Sequence, residues 1–257
     1  MQTEIGMRGQ ITLQDETKLE VLVEKAVDLG SGWLITYSVP EWQSEDGKKY
    51  FLQDYYFPRE EDYSGIMKTT GMPVEYTKAT MNDFDWRYYK GAGKAQMDLV
   101  NRYLFNIDIN IREGVGLYLW SEKPGSGKTM LACVIGNELI KRGLQLKFVT
   151  ANDYLQAHRE QDAQKYKDCS VLILDDIGAE DDKQEWVQSI LFGLINYRYA
   201  KHKLTFFTSN MDMGKCSKNQ RLTSRVKEMA LPIRMPEYSV RDELVEKWRS
   251  EYMGAWK

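Results

Sequence analysis

The chain has 257 residues, enough for one core domain with an appendage and short of two full domains. Charged residues make up 28% and hydrophobic ones 42%, the balance of a soluble globular protein rather than of a disordered tail. With 35 Lys+Arg against 38 Asp+Glu the net charge is −3, which speaks against coating duplex DNA by bulk charge but leaves room for a local basic groove. No run approaches the ~20 apolar residues of a membrane helix, and the opening MQTEIGMRGQ lacks the apolar core of a signal peptide. Cys133, Cys169 and Cys216 lie far apart without CxxC spacing, and the histidines are only His158 and His202. That pattern argues against a disulfide framework and a zinc site, and the expected setting is a reduced cytoplasm.

In chain order, residues 1–64 read as a small α+β module for partner binding or packing. Thr17–Leu29 aligns Leu19, Leu22, Val23, Ala26 and Leu29 on one helical stripe stopped by Gly30, which predicts a helix. Trp33–Val39 alternates like a strand, and Asp46–Gly47 signals a hairpin turn into a strand over Tyr50–Tyr56. Residues 65–78 read as a linker punctuated by Gly65, Gly71 and Pro73. From Ala79 to residue 257 strands alternate with helices, predicting an α/β domain with a doubly wound parallel sheet. Helices are expected at Lys94–Asp108, Gly127–Arg142, Asn152–Arg159, Lys183–Tyr199 and Val240–Tyr252. Strands are expected at Gly116–Trp120, Leu146–Thr150, Val171–Leu174, Leu204–Thr208 and Pro232–Met235.

The strongest signal is SEKPGSGKT, Ser121–Thr129, between the apolar strand Gly116–Trp120 and the apolar helix that starts at Met130. A triphosphate needs backbone N–H groups without side chains in the way. Pro124, Gly125, Ser126 and Gly127 form such a loop, and the positive end of the following helix faces the phosphates. Lys128 would reach the β- and γ-phosphates of ATP, and the Thr129 hydroxyl would ligate Mg²⁺. The usual opening glycine of GxxxxGK[ST] is Glu122 here, at a strand exit where a side chain can point to solvent.

The second signal is VLILDDIGAE, Val171–Glu180: a buried strand with two carboxylates at its C-terminal edge, where ligands of an open α/β sheet collect. Asp175 would hold Mg²⁺ and Asp176 would orient and deprotonate the attacking water. Many such ATPases carry Glu at the second position, so the shorter Asp predicts slow turnover. LTFFTSN, Leu204–Asn210, is another buried strand, and Asn210 at its exit can hydrogen-bond the attacking water or the γ-phosphate.

Arg221 and Arg225, four residues apart in NQRLTSRVKEMALPIRM, share one helix face. Such a pair is either a solvated face or, in a ring-forming ATPase, the source of an arginine that enters the neighbour's site; Arg225 fits that second role better than Arg221. Arg241, at the start of the last helix, is expected either to touch the γ-phosphate in cis or to pair with Glu237 or Asp242.

The ordered set KPGSGKT, LILDDIGAE, TFFTSN and RLTSRVKE resembles the AAA+ ATPases of the DnaC/DnaI helicase-loader group. The upstream GMPVEYTKATMNDFD, Gly71–Asp85, is similar to the entry segment of DnaI-like members. The resemblance covers Gly71 to the C-terminus. It implies Lys128 and Thr129 as Walker A, Asp175 and Asp176 as Walker B, Asn210 as sensor 1, Arg225 as arginine finger and Arg241 as sensor 2. It also implies ATP at the interfaces of a self-assembled ring or spiral, the hexameric replicative helicase as partner, and loading of that helicase onto single-stranded DNA.

Two departures stand out. No cysteine precedes Cys133, so the N-terminal module cannot hold the zinc that some DnaI-like loaders carry, and a phage-encoded loader with its own docking module would fit. A full helical lid of the kind many AAA+ proteins have is not expected either, since the sequence ends soon after Arg241, an end similar to that of DnaC-type loaders. Single-strand contacts follow only from the resemblance; Lys147, Phe148 and Tyr154 are candidates, with buried packing the better use of Phe148. Alternative readings are an IstB-like transposition ATPase and a helicase-binding inhibitor with little ATPase activity.

Overall fold

The computed structural model describes residues 8–12, 18–28, 32–39, 50–51, 55–58, 65–66, 69–178 and 185–254. The chain divides into two units, Met1–Ile66 with Lys141–Gly143, and Met67–Ile140 with Leu144–Lys257.

In the first unit β1 (Arg8–Thr12), β2 (Lys18–Asp28) and β3 (Gly32–Val39) pair antiparallel in that order. The short β4 (Tyr50–Phe51) and β5 (Tyr55–Pro58) both pair with β3. The helix expected over Thr17–Leu29 is therefore corrected to a strand, β2, and the described residues between 8 and 58 are all β rather than α+β. The reason is a bulge. The register runs Val23↔Tyr37 and then Lys25↔Thr36, so Glu24 is the extra residue and the inward face shifts by one. Before it Val21 and Val23 alternate inward, packing with Ile35 and Tyr37; after it Ala26 joins the same cluster. A strand with a mid-course shift mimics the 3–4 spacing of a helix. The strand expected over Trp33–Val39 is β3, that over Tyr50–Tyr56 is split between β4 and β5, and the Asp46–Gly47 turn lies outside the described residues.

The second unit opens with 3₁₀ turns at Val74–Tyr76, Met81–Asp83 and Trp86–Tyr89. Then follow α1 (Lys94–Phe105), α2 (Ile107–Glu113), β6 (Gly116–Trp120), α3 (Lys128–Lys141), β7 (Leu146–Thr150) and α4 (Ala151–Arg159). The chain continues with α5 (Gln164–Asp168), β8 (Val171–Asp175), α6 (Glu185–Ala200), β9 (Leu204–Ser209), α7 (Gln220–Met229), β10 (Ala230–Arg234) and α8 (Val240–Gly254). The five strands are parallel in the order β10-β6-β9-β8-β7, the doubly wound sheet the alternating pattern predicts. The helix expected over Lys94–Asp108 ends at Phe105 and restarts as α2, and β10 begins two residues before the expected Pro232.

Leu172, Ile173 and Leu174 of β8 are fully buried, as are Leu117, Tyr118 and Leu119 of β6, two strands away across β9. Each such side chain stabilises the fold by roughly 1.5–3 kcal/mol. Residues read as linker take part in this unit from Thr70 on. The Thr70 carbonyl accepts from Phe148 N at 2.7 Å along the edge of β7, and the Asn137 amide donates to the carbonyls of Tyr76 and Ala79, both at 2.8 Å. Among the described residues no helix is long and apolar enough to cross a membrane.

The chain leaves β6, travels to the far edge at β7, returns through β8 to β9 beside β6, and then jumps to β10 on the other side of β6. That reversal of winding opens a crevice at the C-terminal ends of β6 and β9, the usual ligand position of such sheets.

Candidate active site

The loop from Ser121 to Gly127 leaves β6 at this crevice and turns into α3 through two left-handed glycines, Gly125 (φ 73°) and Gly127 (φ 82°). Both also need the missing side chain. A Cβ on Gly125 would lie 2.6 Å from Ser239 Oγ, and one on Gly127 would lie 2.7 Å from the Tyr89 hydroxyl. Glu122 is exposed, as a strand-exit position allows.

Lys128 is the first residue of α3 and is only 5% exposed. Its Nζ donates to Ser121 O (3.4 Å), Lys123 O (3.3 Å) and Ser126 Oγ (3.2 Å), all neutral oxygens. Burial pulls its pKa down, and the Asp176, Asp175 and Glu237 carboxylates act against that pull from beyond hydrogen-bond range. A buried ammonium curled onto its own loop, with no carboxylate in contact among the described residues, fits an anion such as a phosphate. Thr129 follows, and its Oγ1 donates to Asp175 Oδ1 at 2.9 Å. Thr208 Oγ1 donates to the same oxygen at 2.6 Å. Burial pushes the Asp175 carboxyl up, opposed by these two hydroxyls. A hydroxyl and a carboxylate meeting beside a phosphate loop are the donor set Mg²⁺ takes with a nucleotide.

Asp176 stands in the left-handed region (φ 54°), its N–H donating to Thr208 Oγ1 at 2.9 Å. Asp175 is bonded to the Thr129 and Thr208 hydroxyls, whereas Asp176 lines the cleft. Asn210, just past β9, lines the same cleft of about 380 Å³ together with Pro124 to Thr129 and Arg241. Arg241 is tied to the loop through its backbone, N–H to Gly125 O at 3.3 Å, while Ser239 Oγ caps α8 by accepting from Asp242 N.

Nine of the ten residues expected in the cis site thus line one cleft, Pro124 to Thr129, Asp176, Asn210 and Arg241, and the tenth, Asp175, is hydrogen-bonded to Thr129 of that lining. Arg225 and Arg221 are not among them. Arg225 lies on α7 against α6, with its guanidinium stacked on Tyr199 at 4.4 Å and paired with Glu228 at 3.0 Å.

Three contributors were not visible in the sequence motifs. Glu237 accepts from Lys123 N (2.9 Å), Glu122 N (3.3 Å) and Ser121 Oγ (3.1 Å), and pairs with Arg234 (3.3 Å) rather than with Arg241. It gets there because β10 is in register with β6, Arg234 opposite Trp120, so both chains leave the sheet side by side. Tyr89 donates to Ser126 O at 2.8 Å, from a cluster with Phe84 and Trp86. Tyr76 and the α8 side chains Val240, Leu244, Val245 and Trp248 form the apolar wall of the cleft. The aromatic run FDWRYY is the local hint of Tyr89, while Tyr76 falls in the entry segment Gly71–Asp85 and Glu237 enters the sequence reading only as a partner for Arg241.

Comparison with known proteins follows the same lines. The family model for IstB-like ATP binding proteins matches residues 60–225, well over half of the chain. Over 146 residues the chain is 30% identical to the replicative helicase loader DnaI of Bacillus subtilis, covering 48% of this chain and 46% of that protein. Over 143 residues it is 26% identical to the replicative helicase loader DnaC of Escherichia coli K12, covering 51% and 56% respectively. The chain thus spans about half the length of these curated relatives. A crystal structure of DnaI superposes with a TM-score of 0.54 at 27% identity, covering 65% of this chain and 95% of that one.

Proposed function

The chain belongs to the IstB-like ATP-binding protein family, and from that premise we propose that it is an ATP-dependent loader of a replicative helicase onto single-stranded DNA. The observation that supports ATP use is the buried Lys128, held only by neutral oxygens above a glycine cradle and next to the Thr129–Asp175 pair. The likeness to proteins named helicase loaders supports the partner.

In this reading the backbone N–H groups of Gly125 to Thr129 and the Lys128 ammonium bind the phosphates of ATP. Thr129 and Asp175 would hold Mg²⁺, which when bound would supply positive charge to neutralise the nucleotide phosphates. Asp176 orients the attacking water and accepts its proton, and Asn210 fixes that water or the γ-phosphate from the neighbouring strand. Arg241 touches the γ-phosphate from the same subunit. Arg225 completes the site of an adjacent subunit in a ring or spiral, adding positive charge where negative charge develops. The first unit grips the helicase, and the second, which takes in the expected linker from Thr70 on, carries the ATPase.

A strand-loading assay tests this. Helicase retained on closed circular single-stranded DNA should rise when the protein is added with ATP and Mg²⁺; retention that stays at the level of helicase alone contradicts it.

The family's own description favours one second reading, a transposition ATPase of the IstB type. Its mark would be ATP-dependent assembly on duplex DNA with a transposase and indifference to the helicase.

A further inference from the structure

Arg225 does not stand ready in solvent. Its Nη1 donates to both carboxylate oxygens of Glu228 (3.0 and 3.1 Å), its Nε to Asn196 Oδ1 (3.3 Å), and its Cζ lies 4.4 Å from the centre of the Tyr199 ring. Glu228 is itself fixed by Ser224 Oγ at 3.1 Å and by the Tyr199 hydroxyl. All of these partners belong to α6 and α7 of the same subunit. Arg221, one turn earlier on α7 and exposed, makes no ion pair among the described residues.

A guanidinium paired with a carboxylate has its charge compensated and two donors in use, so it has little to offer a phosphate in another subunit until the pair opens. We propose that Glu228, with Tyr199, is a positioning residue that holds Arg225 back within its own subunit and surrenders it only to the phosphates of a nucleotide-loaded neighbour. This rests on the reading of Arg225 as the trans-acting arginine. The carboxylate carries one negative charge and a triphosphate several, so the exchange favours the phosphate once a neighbour docks with nucleotide bound. Hydrolysis thereby becomes conditional on assembly, and the free subunit idles.

The pair is partly exposed, with side-chain exposures of 34% for Arg225 and 39% for Glu228, so the hold is weak enough to be reversible. The test is ATP hydrolysis as a function of protein concentration for wild type, Glu228→Gln, Tyr199→Leu and Arg225→Ala. It is paired with self-association by analytical ultracentrifugation in a non-hydrolysable ATP analogue. Glu228→Gln should reach half-maximal turnover at about two- to fivefold lower protein concentration, the range set by an exposed ion pair. Self-association should tighten by the same factor, and Tyr199→Leu should move both in the same direction. A purely structural pair would lower Tm without that leftward shift. Unchanged or rightward-shifted curves for both variants overturn the holding role while Arg225→Ala remains inactive. Full activity in Arg225→Ala at every concentration overturns the trans-acting reading itself.

Discussion

Thr129 Oγ1 donates to Asp175 Oδ1 at 2.9 Å, so the last hydroxyl of the phosphate loop and the carboxylate at the end of β8 meet across two strands that are not neighbours in sequence. Burial pushes the Asp175 carboxyl above its ordinary range, with the Thr208 and Thr129 hydroxyls working the other way. A carboxyl whose folded-state pKa is raised favours folding below its unfolded value, about 3.9, and that contribution is lost as pH rises through the folded value. At neutral pH the ionised group therefore opposes folding. Asp175→Asn should raise Tm of the nucleotide-free protein at pH 7, by a margin that narrows as pH falls toward 4, while abolishing Mg²⁺-dependent hydrolysis. Thermal unfolding by circular dichroism across that range decides it; a lower Tm at pH 7 would count against the argument.

Lys128→Ala removes the cation of the loop. ATP affinity should fall on the order of 10–100-fold, the worth of hydrogen bonds to a charged group. Isothermal titration with ATP checks this, and unchanged affinity would sink the phosphate-loop assignment.

Glu237 clamps the same loop from the end of β10. Burial raises its carboxyl, but hydrogen bonds from Glu122, Ser121, Lys123 and Arg234 outweigh it and hold the pKa below the ordinary carboxylate range. A depressed pKa contributes stability above the unfolded value, about 4.3, which is lost as pH falls through the folded one. Glu237→Gln should therefore be less stable than wild type at pH 7 and converge with it in acid. Its ATP affinity should drop about two- to tenfold, one hydrogen bond's net worth. Equal stability at all pH values, with equal affinity, would show the clamp to be idle.

Arg198 is fully buried, and among the described residues no carboxylate is bonded to it. Its guanidinium donates to the carbonyls of Tyr166, Lys167, Cys169, Ser170 and Leu204 and to Thr205 Oγ1, tying α5 and the entry of β8 to the start of β9. Arg198→Met fills the space but leaves these acceptors without their donor, at a cost on the order of 3 kcal/mol or more. Urea unfolding should show it, and a loss well below 1 kcal/mol would mean that water replaces the guanidinium.

The α/β unit was legible because its strands are short apolar runs closed by turns and its helices begin and end on clear signals. Val171–Leu174 and Leu204–Thr208 needed no tertiary knowledge to assign. The phosphate loop, Asp176 and Asn210 were legible for a related reason: each sits at the C-terminal end of such a run, and the parallel sheet gathers those ends. What failed was β2, where the bulge at Glu24 breaks the two-residue period and hydrogen bonding to β1 and β3 settles the conformation. Glu237, Tyr89 and the α8 side chains reach the cleft through the β10–β6 register and long-range packing, which local sequence does not carry. The Arg225–Glu228 pair is three residues long in sequence, yet its meaning depends on Tyr199 and Asn196 of another helix.

The proposed function requires that the protein engage a replicative helicase under ATP control. Light scattering on a gel-filtration column, with the protein and the replicative helicase of its host, with and without ATP and Mg²⁺, tests it most directly. A stable co-eluting complex whose mass or stability changes with nucleotide is the expected result. Separate elution in both nucleotide states would contradict it.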